Sequence, residues 1–505
     1  MKRACKSALL LVLLLLLVPP QVAGLPATRL TVLHVNDFHG HLLPDFNKTI
    51  DGISPVGGAA RLARMVADER AKNPDGVLLL SAGDMFQGTP ISNVFHGRSV
   101  MDFMNYLKFD AMALGNHEFD WGTDILRQLA AAASFPFLAA NLQDLHGEEL
   151  PPIKSHILLE RKGIKLAVIG ITTPDTAFTT QPRNVAGLIF QQPAAILPPL
   201  VQELRASGAD LIAVLSHSGL DADLAIAAEV SGIDLIIGGH SHTVVTEPLC
   251  VNRTIIVQAG SNGAYLGVLE LEIDPSTHKI VDFSRKNELK PVLSAPADPV
   301  EEKAAAIVAR FNKQIKAAFA RTVGETAVDL IRNPGTESNV GNLLADAFRE
   351  ASGADLALLN GGSIRTDIRK GKITLEQVYT LLPFDNQIVT MDLSGAQIRQ
   401  ILEQNASSTH KKLQVSGLTV RYDLTQPAGR QAVEIQVGGQ PLEDVRTYRM
   451  ATNDFLAAGG DAYTTFKAGA NLVYGDLVRD VFSAYLERKS PVRPQIENRI
   501  EITKP

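Results

Sequence analysis

The chain has 505 residues, 45% of them hydrophobic and 20% charged. These are ordinary globular values, which exclude disorder, and the length exceeds one compact core, so two or three domains are expected. A net charge of −6 argues against a nucleic-acid polymer as partner, and two cysteines, Cys5 and Cys250, cannot build a disulfide framework.

The amino terminus departs from the rest. Lys2, Arg3 and Lys6 precede an apolar run from Ala8 to Val18, followed by Pro19-Pro20 and the small-residue stretch Val22-Ala23-Gly24. This is the layout of a secretory signal peptide over residues 1–24, and its apolar run is too short to span a bilayer. Its removal takes away three basic and no acidic residues, leaving 45 Lys and Arg against 54 Asp and Glu, a net charge of −9. Cys250 then stands alone. No cysteine occupies a lipoprotein-like position, and the carboxyl end from Glu497 to Pro505 is too polar for an anchor signal. An exported protein, periplasmic or extracellular and without a stable membrane anchor, is expected. Sequons occur at Asn47, Asn252 and Asn405, and they matter only on a glycosylating route.

Short apolar runs bounded by polar residues or by Gly and Pro predict buried strands at Leu30–Val35, Val77–Leu80, Ala111–Leu114, Leu166–Ile171, Leu211–Leu215 and Leu235–Ile237. Between them, Ala59–Arg70, Asp124–Ala133, Leu197–Ala206 and Asp221–Glu229 have helical patterns, the alternation of a layered α/β domain. Strand patterns at Ile255–Gln258 and Val268–Ile273 close a first domain spanning residues 25–295. A Pro/Ala/Ser stretch from Pro291 to Pro299 leads into an alanine-rich helical pattern over Val300–Arg321, read as a linker helix within 296–321. A second domain, 322–505, opens with a helix near Gly341–Ala351 that Ser338 or Asn339 can cap. Strands are expected at Leu356–Leu359, Val389–Leu393 and Leu418–Tyr422. There is no internal repeat at a fixed period.

Five of the expected first-domain strands end in chemistry-bearing segments: Asp37-Phe38-His39, Ser81-Ala82-Gly83-Asp84, Gly115-Asn116-His117-Glu118, Ser216-His217-Ser218-Gly219 and Gly239-His240-Ser241-His242. Each alone is weak, because Asp, Asn and His also serve turns and caps. Together they fit one metal centre beyond the carboxyl ends of the strands, the usual place for a site in an open α/β sheet.

This set resembles the calcineurin-like metallophosphoesterases, and more narrowly the secreted 5′-nucleotidase and UDP-sugar hydrolase family. The resemblance implies a four-layer metallophosphoesterase sandwich joined by a helix to an α+β nucleotidase domain. It implies two divalent ions, one held by Asp37, His39 and His242, the other by Asn116, His217 and His240, with Asp84 bridging both. Oxygen and nitrogen donors without thiolate suit zinc, manganese or cobalt. Such a pair would lower the pKa of bound water, making a hydroxide rather than a side chain the nucleophile. For His117 and Asp120 the resemblance implies a dyad in which the carboxylate orients the imidazole and favours its charged form; as a bare residue, His117 remains open as a further ligand. His34 and His41 fall outside the pattern, and His34 reads as structural.

Three later segments stand out: Asn360-Gly361-Gly362-Ser363-Ile364-Arg365, Leu382-Pro383-Phe384-Asp385-Asn386, and Asn453 to Asp461 with Phe455 and Gly459-Gly460 inside it. On composition alone the two phenylalanines belong to a core. The family resemblance implies a nucleoside pocket in which Phe384 and Phe455 sandwich the base, Asn360 meets its edge, Asp461 bonds the ribose hydroxyls and Arg365 binds ribose or phosphate oxygens. One departure concerns arginines that family members carry before the second domain's first helix. Here Arg332 is present and is expected to bind substrate, sharing phosphate anchoring with Arg365 and the metals, whereas Thr336 stands where another arginine can occur.

The function implied is exported, metal-dependent hydrolysis of nucleoside 5′-monophosphates. A UDP-sugar hydrolase and a 2′,3′-cyclic-nucleotide 2′-phosphodiesterase/3′-nucleotidase stay open on the same centre. A catalytically silent nucleotide-binding surface protein is the reading from another class. Sequence leaves the oligomeric state undetermined.

Overall fold

A computed structural model describes residues 27–283, 288–294, 299–333, 335–408 and 412–503, without the side chains of 47–49. The expected signal peptide, and residues 295–298 at the proposed domain border, lie outside the described residues.

The first half is built on two facing sheets. One has seven strands, in the order Ile280–Phe283, Tyr265–Ile273, Thr28–Val35, Val77–Ser81, Ala111–Ala113 and Phe137–Leu138, with Glu288–Pro291 also on Tyr265–Ile273. The other has six, in the order Leu249–Val251, Thr254–Val257, Leu235–Gly238, Leu211–His217, Ile164–Thr172 and His156–Arg161. Side chains alternate across each strand. Leu30, Val32, Leu78 and Leu80 meet Leu211, Ala213, Leu215 and Ile237 between the sheets. Leu33, Val35 and Leu79 instead face the helices Ala59–Lys72 and Arg98–Leu107, while Ile169, Ile212, Val214 and Ile236 face Pro193–Ala206 and Leu220–Glu229. The result is helix, sheet, sheet, helix, the four-layer sandwich.

The central strands of each sheet run parallel, Thr28–Val35 beside Val77–Ser81 beside Ala111–Ala113, and Leu211–His217 beside Leu235–Gly238. Parallel pairing brings their carboxyl ends to one edge, where the polar segments begin. His34 lies one residue before the end of its strand, fully buried; a Cβ on Gly267 would come within 2.1 Å of its Nε2. It is part of the sheet wall.

Secondary structure follows the sequence expectations with small shifts. The helix expected from Leu197 begins at Pro193, because proline suits a first helical position where its missing N–H is no loss. Glu302–Phe319 buries Ala304, Val308, Phe311, Ile315 and Phe319, an i, i+4, i+7 stripe packed on the first half's core. At its end the Phe319 ring lies 4.8 Å from that of Tyr379. The helix is thus anchored along its length to one half and touches the other at its last turn.

The second half carries a five-stranded sheet, Leu413–Ser416, Leu356–Asn360, Thr447–Asn453, Gln387–Ser394 and Ala470–Leu477 in that order, and a four-stranded sheet that includes Leu418–Asp423 and Ile500–Thr503. Of the two candidate caps, Ser338 serves: its Oγ accepts from the Gly341 N–H at 3.0 Å and starts the helix Asn339–Ser352. The sequon residue Asn405 is buried, its amide donating to the Tyr422 hydroxyl at 2.9 Å, so it presents no glycan acceptor in the fold; Asn252 is exposed in a turn.

Candidate active site

Seven side chains converge at the strand ends. Asp37, His39 and His242 bring their ligand atoms within 4.8 Å of one another, and so do Asp84, His217 and His240. His39 Nε2 and His242 Nε2 are 3.2 Å apart, and His242 Nε2 lies 3.2 Å from Asp37 Oδ1. His217 Nε2 is 3.0 Å from Asp84 Oδ2, while Asp84 Oδ2 also lies 3.9 Å from His39 Nε2, so this carboxylate stands between the two groups. Asn116 Oδ1 is buried and has no hydrogen-bond partner among the described residues.

The ring orientations are fixed from behind. His39 Nδ1 is paired with the Gln87 carbonyl at 2.9 Å and His217 Nδ1 with the Ala82 carbonyl at 2.7 Å, which leaves each Nε2 as the inward atom. Asp37 accepts from the Asn36 amide at 2.7 Å and from the His240 N–H at 3.0 Å. Glycine is needed where the loops cross, since a Cβ on Gly115 would stand 2.1 Å from Asp84 Oδ1.

Backbone conformation sets the site apart. Asp37 (φ 50°), His39 (50°), Asp84 (54°), His240 (71°) and His242 (57°) all occupy the left-handed region. Non-glycine residues adopt it rarely, and clustering of such strain is a mark of functional sites.

Electrostatics favour a cation. Burial resists charge on Asp37, yet His242 and His217 beside it hold its carboxyl down to about 2. Burial likewise opposes a proton on His217, but the Asp84 and Asp37 carboxylates outweigh it and raise the imidazole to about 10. Its neighbour His240, half-buried and facing that charge, falls to about 3. The carboxylates therefore attract one positive charge onto His217 at the expense of His240, and a divalent ion would displace that proton.

His117 belongs to neither group of three. Its Nδ1 is 2.7 Å from Asp120 Oδ2, whose other oxygen accepts from the Thr180 hydroxyl at 2.7 Å; the Asn184 amide holds the Asp120 carbonyl, also at 2.7 Å. Burial lowers the pKa of His117, but Asp120 and then Asp84 outweigh it and raise the net value. Thr180 and Asn184 carried no signal in the sequence, being ordinary polar residues 60 and 64 positions from Asp120.

Glu118 was visible only as the last letter of Gly-Asn-His-Glu. It is 1% exposed and accepts three main-chain hydrogen bonds, from Asp84 N (2.8 Å), Met85 N (2.8 Å) and Gly115 N (2.7 Å). One carboxylate thus ties together the loop bearing Asp84 and the loop bearing Asn116 and His117. Burial and the nearby Asp84 charge push its pKa up to about 7.

The second half closes over this edge. A cavity of about 920 Å³ is lined by Asp84, Asn116, His117, Asp120, His240 and His242 on one side and by Arg332, Asn360, Arg365, Phe384, Phe455 and Asp461 on the other. Asp37, His39 and His217 are not among its lining residues and sit deeper. Arg365 reaches across, its Nη2 3.4 Å from His39 Nε2, and the Phe384 ring is 5.5 Å from that of His117. Asn360 donates to Asp461 Oδ2 at 2.9 Å and accepts from the Asn453 amide at 3.0 Å. Arg332 donates to the Arg365 carbonyl at 2.7 Å and pairs with Asp367, so it braces Arg365. The halves also bond directly, from the Asn93 amide to the Pro383 carbonyl at 2.7 Å and from the Gln181 amide to Asn386 Oδ1 at 3.1 Å.

Comparison with known proteins agrees with this layout. Residues 30–244 match the family described as calcineurin-like phosphoesterase, and residues 319–468 match the 5′-nucleotidase C-terminal domain. The snake venom 5′-nucleotidase of Naja atra is 32% identical, with 93% of this chain and 98% of that protein aligned. The trifunctional nucleotide phosphoesterase protein of Bacillus subtilis is 32% identical over 94% of this chain, which spans 35% of that longer protein. The crystal structure of a 5′-nucleotidase precursor from Thermus thermophilus superposes with a TM-score of 0.87 at 34% identity, covering 95% of this chain and 100% of that one. Relatives 32% and 34% identical and aligned over more than nine-tenths of the chain, together with the two domain matches, show that it belongs to the 5′-nucleotidase family of hydrolases.

Proposed function

We propose that the chain is an exported, metal-dependent phosphoric monoester hydrolase that cleaves nucleoside 5′-monophosphates to nucleoside and phosphate. The reading rests on one observation: His242 of one candidate ligand group, Asp84 and His240 of the other, and the two aromatic side chains Phe384 and Phe455 border a single cavity. Export is supported by the signal-peptide layout of residues 1–24 and by the similarity to a venom enzyme. In this reading residues 25–295 hold the metals, 322–505 hold the nucleoside, and the segment 296–321 joins them.

The donor set fits two divalent ions, zinc, manganese or cobalt. Imidazole nitrogens 3.2 Å apart match two ligands each about 2.0–2.1 Å from one ion, and the buried Asn116 oxygen supplies a neutral donor. Asp37, His39 and His242 would hold one ion and Asn116, His217 and His240 the other, with Asp84 between them. Bound there, the pair supplies Lewis acidity towards the phosphoryl group and an acidified water.

The chain's own groups do the rest. Arg365 draws the phosphate to the metal edge and Arg332 keeps Arg365 in place. His117, oriented by Asp120, donates through its other ring nitrogen to a phosphoryl oxygen and balances the charge that grows there. Phe384 and Phe455 grip the base by stacking, Asn360 meets its edge, and Asp461, aligned by Asn360, accepts from the ribose hydroxyls. Stacking on a base is worth about 1–3 kcal/mol and is indifferent to base identity. Phe455→Ala therefore raises KM for AMP about tenfold or more and changes kcat little, measured by steady-state phosphate release.

The test of the reading is direct. Protein stripped by a chelator releases no phosphate from AMP and regains activity on adding Zn²⁺, Mn²⁺ or Co²⁺. A panel of AMP, UDP-glucose and 2′,3′-cyclic AMP ranks AMP first. Hydrolysis undiminished by chelation, or preference for either of the other two, overturns the assignment.

A further inference from the structure

Gln87 is 1% exposed, yet neither Oε1 nor Nε2 of its side chain has a hydrogen-bond partner among the described residues. It borders the cavity together with Asp84, His242, Arg365 and Phe384. Its main chain is held firmly: the Gln87 carbonyl pairs with His39 Nδ1 at 2.9 Å, and the next N–H, that of Gly88, donates to Asn93 Oδ1 at 2.9 Å. Asn93 in turn donates to the Pro383 carbonyl, beside Phe384. The residue is therefore fixed at the seam between the metal edge and the loop that carries Phe384, while both polar atoms of its side-chain amide lack a partner among the described residues.

A buried amide left without partners costs free energy that the fold does not recover, and a methionine of similar length would avoid that cost. Groups kept at a cost to stability are characteristic of binding sites. The cavity wall around Gln87 sorts the candidate ligand groups. Among its lining residues, Arg365 and the candidate metal ligands suit phosphoryl oxygens, which accept hydrogen bonds when unprotonated. Phe384, also in the lining, offers a flat apolar face instead.

We infer that Gln87 is a phosphate-binding residue, its Nε2 amide donating to a non-bridging phosphoryl oxygen of the monoester substrate and of inorganic phosphate. The inference rests on the hydrolase reading above and adds to it a neutral donor in the cavity that Arg365 also lines. Neutrality has a use: it grips phosphate without another full charge, so product can leave.

The experiment compares metal-loaded wild-type protein with Gln87→Met, by calorimetric titration of inorganic phosphate, thermal midpoint without phosphate, and metal content. The variant binds phosphate about tenfold more weakly, keeps two ions, and melts at the same or a higher temperature. Gln87→Glu, which sets a carboxylate against the phosphate, weakens binding further with its metals retained. A purely structural role predicts a lower melting temperature for Gln87→Met with phosphate affinity unchanged, and that result overturns the inference. Loss of metal from Gln87→Met also overturns it, since the side chain would then support the metal-binding loops rather than phosphate. Equal phosphate binding by variant and wild type sinks this assignment alone, whereas absence of phosphate binding by wild-type protein sinks the hydrolase reading with it.

Discussion

Replacing His117 with alanine lowers turnover of AMP by about 10²- to 10⁴-fold while the protein still carries two divalent ions, as counted by elemental analysis. The split between chemistry and metal content follows from position. His117 is outside both groups of three, and its Nδ1 is committed to Asp120 at 2.7 Å. Asp120 is itself braced by Thr180 and Asn184, so the imidazole cannot swing into the ligand set without breaking those bonds. KM for AMP moves little, because base and ribose are gripped elsewhere. Asp120→Asn acts in the same direction with a smaller loss, since the ring remains but its charged form is no longer favoured. A missing ion in the His117→Ala protein would reassign His117 as a ligand.

The adjacent residue behaves in the opposite way. Glu118→Leu removes the acceptor of three buried main-chain N–H groups at once. Each orphaned donor costs about 1–3 kcal/mol, so the first half loses about 3–9 kcal/mol of stability, seen as an early calorimetric transition, and binds metal poorly. Glu118→Gln keeps one acceptor oxygen and loses less. The pair also differ in pH response when metal is absent. Glu118 has a folded pKa of about 7 against an ordinary value of 4.5, so the folded protein binds the extra proton in that interval. Its contribution is complete below about 4.5 and is lost as pH rises through about 7. Metal-free wild-type protein therefore melts lower at pH 8 than at pH 5 by a larger margin than Glu118→Gln; equal margins would show that Glu118 does not titrate there.

These two neighbours also mark how far the sequence could be read. Strands ending in Asp37, Asp84, Asn116, His217 and His240 were legible because apolar runs of four to six residues stop abruptly at polar letters, and parallel strands share an exit edge. His117 and Asp120 were legible as a pair because both lie in one short segment. The role of Glu118 was not, since its partners Asp84 and Met85 are 34 and 33 residues away, and main-chain donors leave no letter in a sequence. The same applies to Thr180, Asn184 and Gln87. In the second half Phe384 and Phe455 could be told from core aromatics only by family resemblance, because their meaning depends on which cavity they border. The brace of Arg332 on the Arg365 carbonyl likewise depends on tertiary placement.

The left-handed backbone at Asp37, His39, Asp84, His240 and His242 limits how this centre can diverge. Asp, Asn and His are the non-glycine residues most at home in that conformation, and they are also oxygen and nitrogen ligands. Cysteine and glutamate also bind metals, through sulfur and oxygen, but lack that conformational ease, so either one, substituted at any of these five positions, adds about 1–3 kcal/mol of main-chain strain to whatever the change of ligand brings. Drift towards a thiolate centre for soft metals is thus opposed by chain conformation before coordination chemistry enters. Exchanges among Asp, Asn and His remain open, and the accessible variation in this centre is variation in charge and in the affinity for borderline and hard divalent ions.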